Sequence, residues 1–125
     1  MNSDDFSLEK LAELMNVLGV ENRLRIVSLL GEYDSLCVNA LACHLEISQS
    51  AVSQHLRILH FSGFVTSHRE GYYTHYKLNR AVLDKSIELL SRLAVRRETV
   101  NTSKCSSKEG SICAKVKTDA RNRKI

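Results

Sequence analysis

Three groups of residues in this 125-residue chain have chemistry to offer: four cysteines, five histidines and one run of hydrogen-bonding side chains. The run is Ser48-Gln49-Ser50-Ala51-Val52-Ser53-Gln54-His55-Leu56-Arg57. With a helical period, Val52, Leu56 and Leu59 fall on one side, while Gln49, Ser50, Ser53, Gln54 and Arg57 form a stripe facing outward. That stripe carries no acid, and all five side chains donate or accept hydrogen bonds. A helix in a DNA major groove needs that equipment: Gln reads adenine, Arg reads guanine, and Ser serves bases or phosphates. An ordinary solvated face more often mixes Glu with Lys. His55 falls on the inward side and reads as a structural histidine. Further on, His68, Arg69, Tyr72 and Tyr73 gather about a turn. This basic and aromatic combination suits phosphate or minor-groove contact, although a tyrosine pair in a hairpin serves packing as readily.

Among the thiols, Cys37 stands just before a short apolar stripe, Val38, Leu41, Ala42 and Leu45, at a helix N-cap usually given to Ser or Thr. Cysteine caps weakly. A thiol at a helix N-terminus ionises more readily, and the thiolate binds soft metals or reacts with oxidants; the plainer alternative is a small thiol filling a gap. Cys43 lies six residues on, about 240° around and roughly 9 Å along the helix, so it points away from Cys37 and reads as a non-ligand. Cys105 and Cys113 are separated by eight, which fits no zinc-finger spacing. They are either ligands brought together by a flexible tail, with or without Cys37, or incidental. Two or three thiolates without histidine suit As(III) or Sb(III), or Cd and Pb. A Cys–His nucleophile needs a pocket and an orienting third group, and no local pattern suggests them, so the chain is not expected to be an enzyme.

The elements that must position these residues follow from periodicity. Leu8, Leu11, Leu14, Met15 and Leu18 repeat as a helix that Gly19 ends. Leu24, Ile26, Val27, Leu29 and Leu30 form a second helix closing at Gly31; apolar on most of its circumference, it reads as the buried central helix. The short stripe after Cys37 makes a third, and the run capped by Ser48 a fourth, stopping at Ser62-Gly63. Two helices joined by a tight turn, the second bearing the polar stripe, fit a helix-turn-helix. The period then changes. Residues 65–69 and 72–78 are rich in β-formers and flank Glu70-Gly71, which reads as a hairpin with Thr74, Tyr76 and Leu78 on one face and Tyr73, His75 and Lys77 on the other. A last helix spans about 80–97. Beyond residue 98 no periodicity remains, which predicts a flexible basic tail, 98–125, after a folded domain over 1–97. The fold class expected is mainly α (α+β): a winged helix-turn-helix of about five helices with a two-stranded β-hairpin wing.

Composition bounds the partners. The chain is 43% apolar and 26% charged, near the average for a globular domain. No apolar run approaches the roughly 20 residues of a membrane span, and the acidic N-terminus carries no secretory pattern; a cytoplasmic location with reduced thiols, and no membrane partner, is the expectation. The net charge of +4 is unevenly spread: −4 over residues 1–34, +2 over 35–80 with all five histidines, and +4 over 98–125. A polyanion therefore meets the middle and the tail.

Four segments in order resemble the ArsR/SmtB family, bacterial winged-helix repressors of which many sense metals: Glu21 to Val27, Leu36 to Ala42, Ser48 to Leu56, and Arg69-Glu70-Gly71 through Leu78. The resemblance covers about residues 8–97. It implies a homodimer paired through the first and last helices, bound to double-stranded operator DNA without need of a cofactor. It also implies release of that DNA when a metal or metalloid, As(III)/Sb(III) or Cd/Pb, binds through two or three thiolates drawn from Cys37, Cys105 and Cys113. Two departures qualify it. Arsenic-sensing members carry Cys-Val-Cys where this chain has Cys37-Val38-Asn39, so a complete thiolate site in that segment is absent. The family's other metal site needs Asp and His on the last helix, and Asn79-Arg80-Ala81 supplies neither. A thiol redox or persulfide sensor of the same fold is the alternative, although such members carry a cysteine where this chain has Ser28. A winged-helix protein-interaction module without DNA binding is the alternative of another class.

Overall fold

The computed structural model describes residues 7–95. Helix α1 (Leu8–Leu18) starts where the Ser7 hydroxyl accepts from Lys10 N at 3.1 Å and ends at Gly19. Helix α2 (Glu21–Glu32) follows, then the two-residue strand β1 (Leu36–Cys37), α3 (Val38–Leu45), α4 (Gln49–Phe61), strands β2 (Val65–Glu70) and β3 (Tyr73–Leu78), and α5 (Arg80–Ala94). The five helices and the hairpin are those the sequence predicts. The sheet is larger than expected by one strand: β1 pairs with β3, giving an antiparallel order β1-β3-β2.

Three features differ from the sequence reading. Helix α2 runs through Gly31 to Glu32, because an isolated glycine costs a helix only about 1 kcal/mol. Within the described chain α2 is not buried all round either. Ile26, Val27 and Leu30 are in the core while Leu24 is half exposed. The hairpin turn is Gly71-Tyr72 rather than Glu70-Gly71, since Glu70 pairs with Tyr73. Gly71 has φ +67, and glycine with positive φ at the first central position is the type II′ pattern whose twist matches the strands.

The core is one cluster. Leu14 of α1, Ile26 and Leu30 of α2, Leu41 of α3, Val52, Leu56 and Leu59 of α4, and Phe64 and Val65 at the base of the wing are nearly or wholly buried. Phe64 belongs to no periodic stripe. It is fixed because its N–H donates to Leu59 O at 2.9 Å and its carbonyl accepts from Asn79 N at 2.8 Å, so the wing's two ends are closed onto the end of α4. Truncating such a side chain to alanine costs about 3–5 kcal/mol. On the opposite side, Met15 and Leu18 of α1, Leu24 of α2, and Leu83, Ile87 and Leu90 of α5 line an apolar groove of about 390 Å³. No helix among the described residues is long and apolar enough to cross a membrane.

Candidate nucleic-acid interface

Helix α4 begins where the Ser48 hydroxyl accepts from Ala51 N at 3.0 Å. Its first turn carries no acid, so the positive end of the helix dipole is left unopposed. The turn before it, from α3, is tight because Glu46 adopts the left-handed conformation, φ 60 and ψ 42. The N–H groups of Glu46 and Ile47 then both donate to Ala42 O, at 2.8 and 3.3 Å. The carbonyl that would otherwise be unpaired at the end of α3 is thereby satisfied.

The two faces of α4 separate as its period requires. Val52, Leu56 and Leu59 are buried, whereas Gln49, Ser50, Ser53, Gln54 and Arg57 are all exposed. His55 is half-buried, and its Nδ1 accepts from Arg23 Nε at 3.3 Å; Arg23 Nη1 also donates to Val17 O at 3.1 Å. Burial first, and the adjacent Arg23 charge second, hold the His55 pKa below its ordinary 6.5. A neutral imidazole that accepts from Arg23 ties α4 to α2 and to the end of α1, which agrees with a structural role.

Register decides which wing residues share a face. Val65 pairs with Leu78, Ser67 with Tyr76 and Arg69 with Thr74, and residues directly opposite point the same way. This inner face continues onto α4 through a groove of about 430 Å³ between Ser53, Arg57, His60 and Phe61 of the helix and Ser67 and Tyr76 of the wing. Arg69 is exposed at the outer end of that face; Tyr72 in the turn is 94% exposed, and Tyr73 is also exposed. His68 is on the opposite face from Arg69, where it pairs with His75 across the strands and lies 3.3 Å from Glu70. Ser53 and Arg57 of the α4 stripe thus line one concave surface with Ser67 and Tyr76 of the wing, Arg69 lies farther out on the same wing face, and His68 and Tyr73 are on the opposite face.

Sequence reasoning missed His60, Phe61, Ser67 and Tyr76 on this surface. His60 follows Arg57 by three on α4, and Ser67 precedes Arg69 by two on β2, so extending the two periods would have found both. Phe61, 92% exposed, follows Arg57 by four and continues the same stripe; its apolar ring was not expected among hydrogen-bonding side chains. Cys37 caps α3 without a side-chain hydrogen bond; it is half-buried, and Cys43 is exposed. Cys105 and Cys113 lie outside the described residues.

The family model for bacterial regulatory proteins of the arsR family matches residues 20–67, a span that holds α2, the helix-turn-helix and the first residues of the wing. The arsenical resistance operon repressor of Escherichia coli (strain K12) is 40% identical over 67 residues, 54% of this chain and 57% of that protein. The chain thus spans little more than half of that relative. The transcriptional activator HlyU of Vibrio cholerae is 38% identical over 67% of this chain and 77% of its own. The arsenical resistance operon repressor of Staphylococcus aureus is 31% identical over 89% of this chain and 95% of its own. An ArsR-like transcriptional regulator from Rhodococcus sp. RHA1 superposes with a TM-score of 0.63 at 30% identity, covering 70% of this chain and 81% of that one.

Proposed function

The chain belongs to the arsR family of bacterial regulatory proteins, and on that premise we propose that it is a dimeric repressor, released from its operator when a soft metal or metalloid binds cysteine thiolates. As(III) or Sb(III) is the favoured inducer, with Cd or Pb next. The observation that carries this reading is the double position of Cys37. It is the N-cap of α3, one helix before the polar stripe of α4, and at the same time a residue of β1 paired to the wing strand β3. A ligand drawn to that thiol perturbs both elements that border the concave surface.

In this reading Gln49, Ser50, Ser53, Gln54 and Arg57 enter the major groove, and Arg69 and the turn residue Tyr72 follow the backbone beside it, while Tyr73, like His68, is on the opposite face of the wing. The apolar groove of α1, α2 and α5 is covered by a second copy, since an exposed apolar surface of that kind marks an interaction site. Two copies related by a two-fold axis then address grooves about 34 Å apart or a multiple of it, which favours an imperfect palindrome. Support for the inducer comes from the arsenical resistance relatives and from thiolate chemistry. The tail, 98–125, contributes Cys105 and Cys113 as further ligands.

Release follows from linkage. The inducer must bind the DNA-free conformation better, and a coupling of roughly 1–3 kcal/mol gives about a 5–150-fold loss of DNA affinity. The test is binding of the full chain to its own promoter DNA with As(III), Cd(II) or peroxide added. Release by As(III) or Cd(II) that is lost in Cys37→Ser supports the proposal; release by peroxide alone makes the chain a redox sensor. A Cys105→Ser/Cys113→Ser variant that still dissociates normally removes the tail from the mechanism. Failure to bind any duplex would make the winged helix a protein-interaction module.

A further inference from the structure

We propose that the outer face of the wing binds a divalent cation of the zinc type through His68, Glu70 and His75, a site separate from the thiols and independent of the regulatory reading. Three features of the hairpin bring these residues together. His68 and Glu70 are two apart on β2, so both side chains leave the same face. His75 is directly opposite His68, and its position is diagonal to Glu70, whose own partner is Tyr73. A diagonal neighbour is within reach of long side chains.

The donor atoms converge accordingly. His68 Nε2 is 3.3 Å from Glu70 Oε2, His75 Nδ1 is 3.7 Å from Glu70 Oε1, and one donor atom from each residue lies within 4.8 Å of the others. Zinc bonds of about 2.0–2.1 Å place neighbouring ligands of a tetrahedral ion about 3.3–3.4 Å apart, so the required adjustment is a small side-chain rotation. His75 Nδ1 is shielded from solvent and has no hydrogen-bond partner. A ring nitrogen in that state, facing a carboxylate, is suited to an electrophile between them. The imidazole rings of His68 and His75 stack at 5.7 Å, which limits their freedom before any ion arrives.

Two imidazoles and one carboxylate select a borderline divalent ion such as Zn²⁺ over a trivalent metalloid, which prefers thiolate. The Glu70 side chain is 60% exposed and that of His68 38%, so solvent completes the coordination. Arg69 falls between two of the ligands in sequence but on the other face, and is not consumed by the site.

The experiment uses the full chain with all four cysteines replaced, Cys37→Ser, Cys43→Ser, Cys105→Ser and Cys113→Ser, so that no thiolate competes. ZnCl₂ is titrated against a chromophoric chelator, and the five imidazoles are followed by NMR. One zinc per chain is expected, with only the His68 and His75 resonances responding. Glu70→Gln, which keeps an exposed side chain of the same size, and His68→Ala should each weaken binding by about tenfold or more, with unchanged circular dichroism. No uptake by the thiol-free chain, or uptake indifferent to both substitutions, overturns the site and reduces the cluster to a surface ion pair.

Discussion

Cys37 and His75 face each other directly across the antiparallel pair of β1 and β3. His75 in turn faces His68 across β3 and β2, so one row of side chains runs from the start of α3 to the outer face of the wing. A thiol and two imidazoles thus stand on adjacent strands of a three-stranded sheet. The proposed inducer ligand Cys37 and the proposed zinc ligands His75 and His68 stand in one row across the two ladders, and the hardness of the ion decides which it occupies.

Base reading and backbone contact separate by salt dependence. Gln54→Ala and Arg57→Ala are each expected to cost about 1–3 kcal/mol on the operator and to relax its sequence preference. Arg69→Ala should weaken operator and random duplex alike and lower the salt slope by about one. Fluorescence anisotropy over a salt series measures both. Equal losses on the two duplexes would reduce Gln54 and Arg57 to phosphate contacts, and an unchanged slope would detach Arg69 from the backbone.

Glu46 holds a left-handed backbone that costs a side-chain-bearing residue about 1–2 kcal/mol. Glycine adopts it freely, at some cost in unfolded-state entropy. Glu46→Gly should therefore raise stability by up to about 1 kcal/mol, seen as a higher urea midpoint with an unchanged m-value. A lower midpoint would mean that the carboxylate contributes more than its backbone costs.

The depressed pKa of His55 gives stability a pH dependence with a definite sign. Above 6.5 the imidazole is neutral in both states and accepts from Arg23 when folded. As the pH falls below 6.5 the unfolded chain takes up the proton more readily than the folded one, and stability declines. His55→Gln offers Arg23 an acceptor that does not titrate. Its urea midpoint should fall less than the parent's between about pH 7.5 and 5.5; parallel declines would assign the effect to another group.

Ile87 lines the apolar groove and is 52% exposed in the single chain. If a second copy covers it, Ile87→Glu forces a carboxylate into that contact, at a cost of about 3 kcal/mol or about a hundredfold in dimer Kd. Sedimentation should then find monomers at concentrations where the parent is dimeric, with helix content preserved. A variant that remains dimeric would put the interface elsewhere.

What the sequence determined by itself was everything carried by local periodicity. The 3.6-residue stripes specified α1, α3, α4 and α5, because an apolar face repeats within one element whatever it packs against. Ser48 announced the start of α4, and the outward polar stripe on that helix followed from the same period. The exposed stripe from Gln49 to Arg57 was therefore legible, though not its continuation through His60 and Phe61, and Cys37 was legible as an N-cap with it. What only the tertiary structure decided depends on partners far apart in the chain. Strand β1 has two residues, too few for any alternation, and exists because Leu36 and Cys37 pair with Tyr76 and His75. Phe64 is buried by closure of the wing onto α4, and Arg23 meets His55 across 32 residues. The position of the turn, at Gly71-Tyr72, set the hairpin register, and the register put His68, Glu70 and His75 on one face with Arg69 on the other. A shift of one residue in pairing reverses every side chain of a strand, so the grouping of wing residues was open until the fold closed.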